Sequence, residues 1–288
     1  MSVSDRNLEF QEVLKWKSDG IRHKETHDWY SSDSEKNFKT YTKKVSKKTY
    51  DFFKIKPFKY KFNNEGYRTP DDFKKGDTGI VYLGCSHTAG VGTPYNSTWV
   101  NRVHDSEDGK CFNLGIPAAS PGTCFRILSY WKEFLNIDKI FHYSLLSPRY
   151  EFIYDIKNSR KIWDYYGAYL DRLKEDKKEF PYDNFIMNSF LTEEYRLLDQ
   201  LKNFMAINDI CNSLGINYYL VTEPMLEKWR IDNIDTIDHN INENNLTFVG
   251  ARDARHYGTK THFVLSEYFK KLSAESKSTK ISFDILGL

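Results

Sequence analysis

No run in this 288-residue chain approaches the roughly 18 apolar residues that a membrane-spanning helix requires, so no transmembrane segment is expected. Cysteine is scarce as well. The four positions, Cys85, Cys111, Cys124 and Cys211, include no Cys-x-x-Cys pair and no secreted-scaffold spacing, which argues against a zinc site and a disulfide framework. Reduced thiols in a cytoplasm fit that usage. Net charge is almost absent: 42 Lys and Arg balance 40 Asp and Glu, leaving +2, so no global field points to nucleic acid or a membrane surface. Met1 to Phe10 are polar and lack the apolar centre of a signal peptide. The expected location is therefore cytoplasmic or phage-associated.

What the chain has in quantity is aromatic side chains, at 16% of residues, which favours an ordered core over disorder. Its charge is unevenly spread: Lys36 to Lys61 carries ten lysines against one acid, Asp51. Within this arm, Phe53-Lys54-Ile55-Lys56-Pro57-Phe58-Lys59-Tyr60-Lys61-Phe62 alternates apolar and lysine residues, the pattern of an extended segment with one buried face and lysines guarding an edge. A weak helix is expected around Asn7 to Trp16, and a turn at Asn63 to Arg68. Residues 1–75 thus read as a basic, aromatic extension packing on a main domain. A nucleic-acid contact through its lysines is the weaker reading.

From about residue 76 the pattern becomes strand, turn, helix, repeated. Gly79 to Gly84 predicts the first strand, Thr98 to Val103 the first helix, Cys111 to Gly115 the second strand, Thr123 to Leu135 a helix and Lys139 to Leu146 the third strand. Glu193 to Leu214 predicts a helix stopped by Gly215, Ile216 to Val221 a fourth strand, and Thr259 to Leu272 the last helix. The stretch at about 150–190 is aromatic and irregular and reads as an insertion, of the kind that often forms a lid. Met225 to Thr247 fits no element firmly, and residues 276–288 read as a tail. The alternation implies right-handed crossovers and a parallel sheet covered on both faces, with sites beyond the carboxyl ends of its strands.

Two stretches carry chemistry. Gly84-Cys85-Ser86-His87-Thr88 places a serine at the corner of a turn directly after the first strand, and Gly250 to Gly258 holds Asp253 three residues before His256. Together they supply a nucleophile, a base and an orienting carboxylate. His87, beside the serine, and Arg149, just past the third strand, are candidate substrate contacts. His87 and His262 otherwise read as surface or structural residues, and Arg252 and Arg255 as solvated arginines flanking the acid.

The serine turn resembles the first motif of the SGNH or GDSL-type hydrolases, and Asp253-Ala254-Arg255-His256 resembles their last, an Asp-x-x-His before the final helix. Asn113-Leu114-Gly115 stands where that family's second motif places an oxyanion-hole glycine. The resemblance covers roughly residues 76–275 and implies a flavodoxin-like three-layer α/β/α sandwich with a parallel sheet. It also implies a Ser86, His256 and Asp253 triad, an oxyanion held by the Ser86 and Gly115 N–H groups, and hydrolysis of an acyl ester with no cofactor or metal. The expected partner is a small-molecule or glycan ester such as an O-acetylated carbohydrate; nucleic acid is not expected. Two positions depart from the family. Cys85 replaces the usual Asp, and the third motif, Gly-x-Asn-Asp, is absent, with Ser144-Leu145-Leu146-Ser147-Pro148-Arg149 in its place. Losing such an asparagine donor can cost about 100-fold to 1,000-fold in rate, and Ser147 or Arg149 is the expected stand-in. The same departure supports the alternative of an SGNH-like binding or structural module with weak or no chemistry.

Overall fold

The structure is a computed structural model that describes Leu14 and residues 25–41, 46–146, 149–156, 159–166, 192–233 and 247–286. The amino-terminal arm supplies β1 (Thr26–His27), α1 (Glu35–Tyr41), α2 (Lys47–Ile55) and β2 (Tyr60–Lys61). The main unit follows with β3 (Thr78–Gly84), α3 (Ser86–Ala89), α4 (Trp99–His104), β4 (Lys110–Asn113), α5 (Pro121–Trp131) and β5 (Asn136–Ser144). A hairpin of β6 (Arg149–Ile156) and β7 (Ser159–Tyr166) comes next. The described chain ends with α6 (Glu193–Leu214), β8 (Asn217–Thr222), α7 (Glu223–Asp232), α8 (Thr259–Ala274) and a short 3-10 turn at Phe283–Leu286.

Four strands pair in the order β4-β3-β5-β8, all parallel. Their side chains alternate between two apolar layers, as strands buried on both faces must. Ile80, Tyr82, Phe141, Tyr143 and Val221 pack against α4, α7 and α8. Val81, Leu83, Phe112, Ile140 and Leu220 pack against α5 and α6. The result is a mixed α/β unit with helices over both faces of a parallel sheet. Because β3 lies between β4 and β5, the chain leaves β3 and β5 toward opposite edges, and a crevice opens between their carboxyl ends.

Local chemistry sets the helix ends. Ser120 and Thr123 bond reciprocally at the start of α5, and Thr192 accepts the Tyr195 N–H at 3.2 Å at the start of α6. The predicted α6 range is the observed one, and Gly215 ends it with φ of 69°.

Two expectations fail. The alternating Phe53 to Phe62 run is not one extended segment: Lys47–Ile55 is helical, capped by Ser46 and burying Thr49 and Phe53 on one face. Pro57 disfavours helix at Lys56, so the alternation spans a helix end and the start of a strand. Only Tyr60–Lys61 is extended, and it pairs with Thr26–His27 rather than guarding the main sheet. The insertion is also not irregular throughout, since β6 and β7 pair antiparallel from Arg149↔Tyr166 to Ile156↔Ser159. The rest of the insertion, the expected helix around Asn7 to Trp16 apart from Leu14, and residues 234–246 lie outside the described residues. Among the described residues, no helix is long and apolar enough to cross a membrane.

Candidate functional site

The serine turn begins at Gly84, whose φ is 144°. A Cβ there would meet Thr88 Oγ1 at 2.2 Å and the Tyr143 carbonyl at 2.5 Å, so only glycine lets the chain turn against β5. Cys85 is buried, and its carbonyl accepts the Ala89 N–H at 2.9 Å, which makes Ser86 the first residue of α3. Ser86 is 3% exposed, and its Oγ has no hydrogen-bond partner among the described residues. A buried hydroxyl in that state is uncommon and asks for an explanation.

Asp253 is fully buried, and its Oδ2 lies 2.6 Å from His256 Nδ1. The Arg255 and His256 amides donate to its Oδ1 at 3.1 and 3.2 Å, and the Ser32 hydroxyl donates to Oδ2 at 2.7 Å. Burial pushes the Asp253 carboxyl up, but the bonds from His256, Ser32 and the Arg255 amide outweigh it and hold the group below its ordinary range. It is therefore an ionised partner for the imidazole. His87 joins the two halves of the site. Its ring centroid lies 5.0 Å from that of His256 and 4.1 Å from that of Tyr257, and its Nδ1 accepts the Tyr257 N–H at 3.5 Å. Burial, with His256, His262 and Arg149 nearby, holds His87 well below the usual histidine value, so it stays neutral. Ser86 makes no hydrogen bond to His256 in this arrangement.

The arm closes over the acid loop. Arg252 is not solvated as expected; it is 4% exposed, with its guanidinium 2.6 Å from Asp33 Oδ2 and 4.1 Å from the Trp29 and Phe58 rings. Tyr60 donates its hydroxyl to Asp33 Oδ2 and accepts the Gly92 N–H at 2.8 Å, while the Arg252 N–H reaches the Gly92 carbonyl at 2.7 Å. Tyr30, Tyr60 and Phe62 of the arm pack on Ala89 and Val91, at and just past the end of α3. The surface reading of His87 and His262 also fails. His262 is buried, its Nδ1 accepts the Trp99 N–H at 3.2 Å, and burial lowers its pKa to about 3.

The expected oxyanion groups fare unevenly. Asn113 donates to the carbonyls of Arg68 and Thr88 at 3.0 and 3.1 Å, which turns its side-chain oxygen toward the Gly115 N–H at 3.0 Å. That is a different use of the Gly115 amide from the one expected. A Cβ on Gly115 would meet the Ala89 nitrogen at 2.5 Å, so the residue also lets this loop approach α3. Ser147 lies outside the described residues. Arg149 is buried at the start of β6, donates to the Ala119 carbonyl at 3.4 Å, and is one of the charges acting on His87. A small cavity between the ends of β3 and β5 is lined by Cys85, Ala119, Ser120, His142 and Ser144.

Ser32, Asp33 and Tyr60 escaped sequence reasoning because their partners are remote: Ser32 and Asp253 are 221 positions apart. Glu223 and Tyr257 escaped it too, although the Tyr257 hydroxyl donates to Glu223 Oε1 at 2.7 Å beside His87. Among the described residues, no group of three or more His, Cys, Asp or Glu side chains could hold a metal ion. A scan of the sequence against family models gives no match, and neither does a search of curated proteins.

Proposed function

We propose that this chain is a serine ester hydrolase of the SGNH or GDSL type, with a flavodoxin-like sandwich and a Ser86, His256 and Asp253 triad. The observation that carries this reading is the buried Asp253–His256 pair at 2.6 Å, set at the same end of the sheet as a buried serine hydroxyl that has no partner among the described residues. The strand order adds support, because the serine leaves β3 at the crevice where ligands of open parallel sheets bind.

In the proposed reaction Ser86 Oγ attacks the acyl carbon while His256 Nε2 takes its proton, and Asp253 fixes the tautomer through Nδ1–H. The Ser86 N–H and the Arg149 guanidinium are the groups we assign to the developing oxyanion, with Arg149 in place of the missing asparagine. His256 then protonates the departing alkoxide, and water releases the acid by the same steps in reverse order of roles. The missing Ser86–His256 bond does not count against this, since such bonds often tighten only when substrate is present. An O-acetylated carbohydrate is the substrate class to try first.

Fluorophosphonate labelling tests the reading directly. Wild type is expected to be labelled at Ser86, while Ser86→Ala is not and His256→Ala is labelled at least 1,000-fold more slowly, on the order expected for a triad base. An unlabelled wild-type chain would favour the second reading, a binding module that keeps the fold. The deep burial of Ser86 is the observation on that side.

A further inference from the structure

We propose that Ser32, brought in by the amino-terminal arm, is a positioning residue of the candidate catalytic centre, its hydroxyl holding the Asp253 carboxylate in the orientation that grips His256. The inference rests on the triad reading above and extends the site beyond the sandwich. Asp253 Oδ2 is shared: it takes His256 Nδ1–H at 2.6 Å and Ser32 Oγ–H at 2.7 Å, while Oδ1 takes two backbone amides. All four bonds go to one buried carboxylate, and only the serine comes from another part of the chain. Without it, one lone pair of a charged, fully buried oxygen would lose its donor and the carboxylate would gain freedom to rotate.

Ser32 is itself held in place. Its neighbour Asp33 is anchored by Arg252 at 2.6 Å, and the Ser32 carbonyl accepts the Asn37 side-chain amide at 2.6 Å at the start of α1. Arg252 and Asp253 are adjacent, as are Ser32 and Asp33, so two neighbouring residues of the arm bind two neighbouring residues of the acid loop. The ion pair sets the distance between the two loops, and the hydroxyl then acts on the carboxylate that orients the base. A merely structural serine would stabilise the loop without altering the imidazole.

The test uses Ser32→Ala together with Ser32→Thr and Ser32→Val, the last two alike in shape and differing in the hydroxyl. On a p-nitrophenyl acetate assay, the Ala and Val variants are expected to lose about 10-fold in kcat with KM within about twofold, and the Thr variant to keep most of its activity. The downfield proton NMR resonance of His256 Nδ1–H, identified by its loss in His256→Gln, is expected to shift in the Ala and Val variants and stay in place in Thr. Equal kcat in the Val and Thr variants, or an unmoved resonance in Val, would overturn the proposal. If wild type neither hydrolyses the ester nor takes up the fluorophosphonate, the hydrolase reading fails, and the resonance alone decides whether Ser32 sets the Asp253–His256 pair.

Discussion

Asp253 bonds to every group that converges on it, so its replacement tests both chemistry and stability. Asp253→Asn keeps the shape but leaves His256 free to adopt the wrong tautomer, and the labelling rate of Ser86 is expected to fall by about 10,000-fold. Because the folded pKa of this carboxyl lies below the ordinary one, its stabilisation is present above the ordinary range and is lost as pH falls through the folded value. The stability gap between wild type and Asp253→Asn, followed by denaturant titration, should therefore shrink below about pH 4. The Arg252–Asp33 pair makes a different prediction. Both side chains are almost wholly buried, so removing only the cation leaves the Asp33 carboxylate with the Tyr60 hydroxyl but without its counter-ion, and Arg252→Met is expected to cost about 3–5 kcal/mol. Asp33→Asn combined with Arg252→Met should recover part of that loss, and a double variant as unstable as the single one would contradict the pairing. The sequence marked Arg252 as a charge beside an acid but held no trace of its partner, because ion pairing between distant loops has no period.

At the scale of elements, the serine turn depends on what lies beneath it. Gly115 lets the loop after β4 approach α3, where a Cβ would sit 2.5 Å from the Ala89 nitrogen, a contact with backbone that cannot swing aside. Gly115→Ala is expected to displace Ser86 and reduce labelling by at least tenfold, even where thermal unfolding shows a folded chain. By contrast, Ser120→Ala removes the bonds its hydroxyl makes to the Thr123 N–H and hydroxyl at the start of α5, both at 3.1 Å, and is expected to show chiefly as a stability loss of about 1 kcal/mol. Elements with one uninterrupted period were legible: the bounds of α6 follow from its helical spacing and terminal glycine, although Leu198 and Met205 of its apolar stripe are exposed, and all four strands of the main sheet lie within a few positions of their predicted ranges. The α2 helix was missed because its last turn runs into Pro57 and a two-residue strand, so apolar-lysine alternation continued across a real boundary. The β6–β7 hairpin, whose register sets Tyr150 opposite Tyr165 and Phe152 opposite Trp163, was not legible because aromatic residues are dense in both strands and no turn glycine separates them. The serine, histidine and acid were visible as motifs; the arm that closes on them was not.

Among the described residues, burial lowers the pKa values of His87, His104, His142 and His262, and this fixes the sign of the acid response that they contribute. His142 on β5 is buried on the α6 side of the sheet, with Nδ1 2.7 Å from the Tyr218 hydroxyl and a pKa lowered by burial to about 3. His262 on α8 is buried on the opposite side, at the Trp99 amide, and is lowered to about 3 as well. Once unfolded, each returns to its ordinary value near 6.5. Between these limits the unfolded chain binds more protons than the folded one, so stability rises with pH, and acidification from 6.5 toward 3 must favour unfolding. His87, also depressed, acts in the same sense, while Asp33, whose carboxyl burial raises, acts in the opposite one. The expected result is a Tm that is flat above about pH 7 and declines steadily as pH falls from 6.5 toward 4.5. His142→Gln with His262→Gln keeps polar groups at both sites but removes two of the four lowered titrations among the described residues. That variant should start from a lower Tm at neutral pH and decline less steeply below it. A double variant that declines in parallel with wild type would place the acid sensitivity elsewhere and would mean that these imidazoles take up protons without leaving the core.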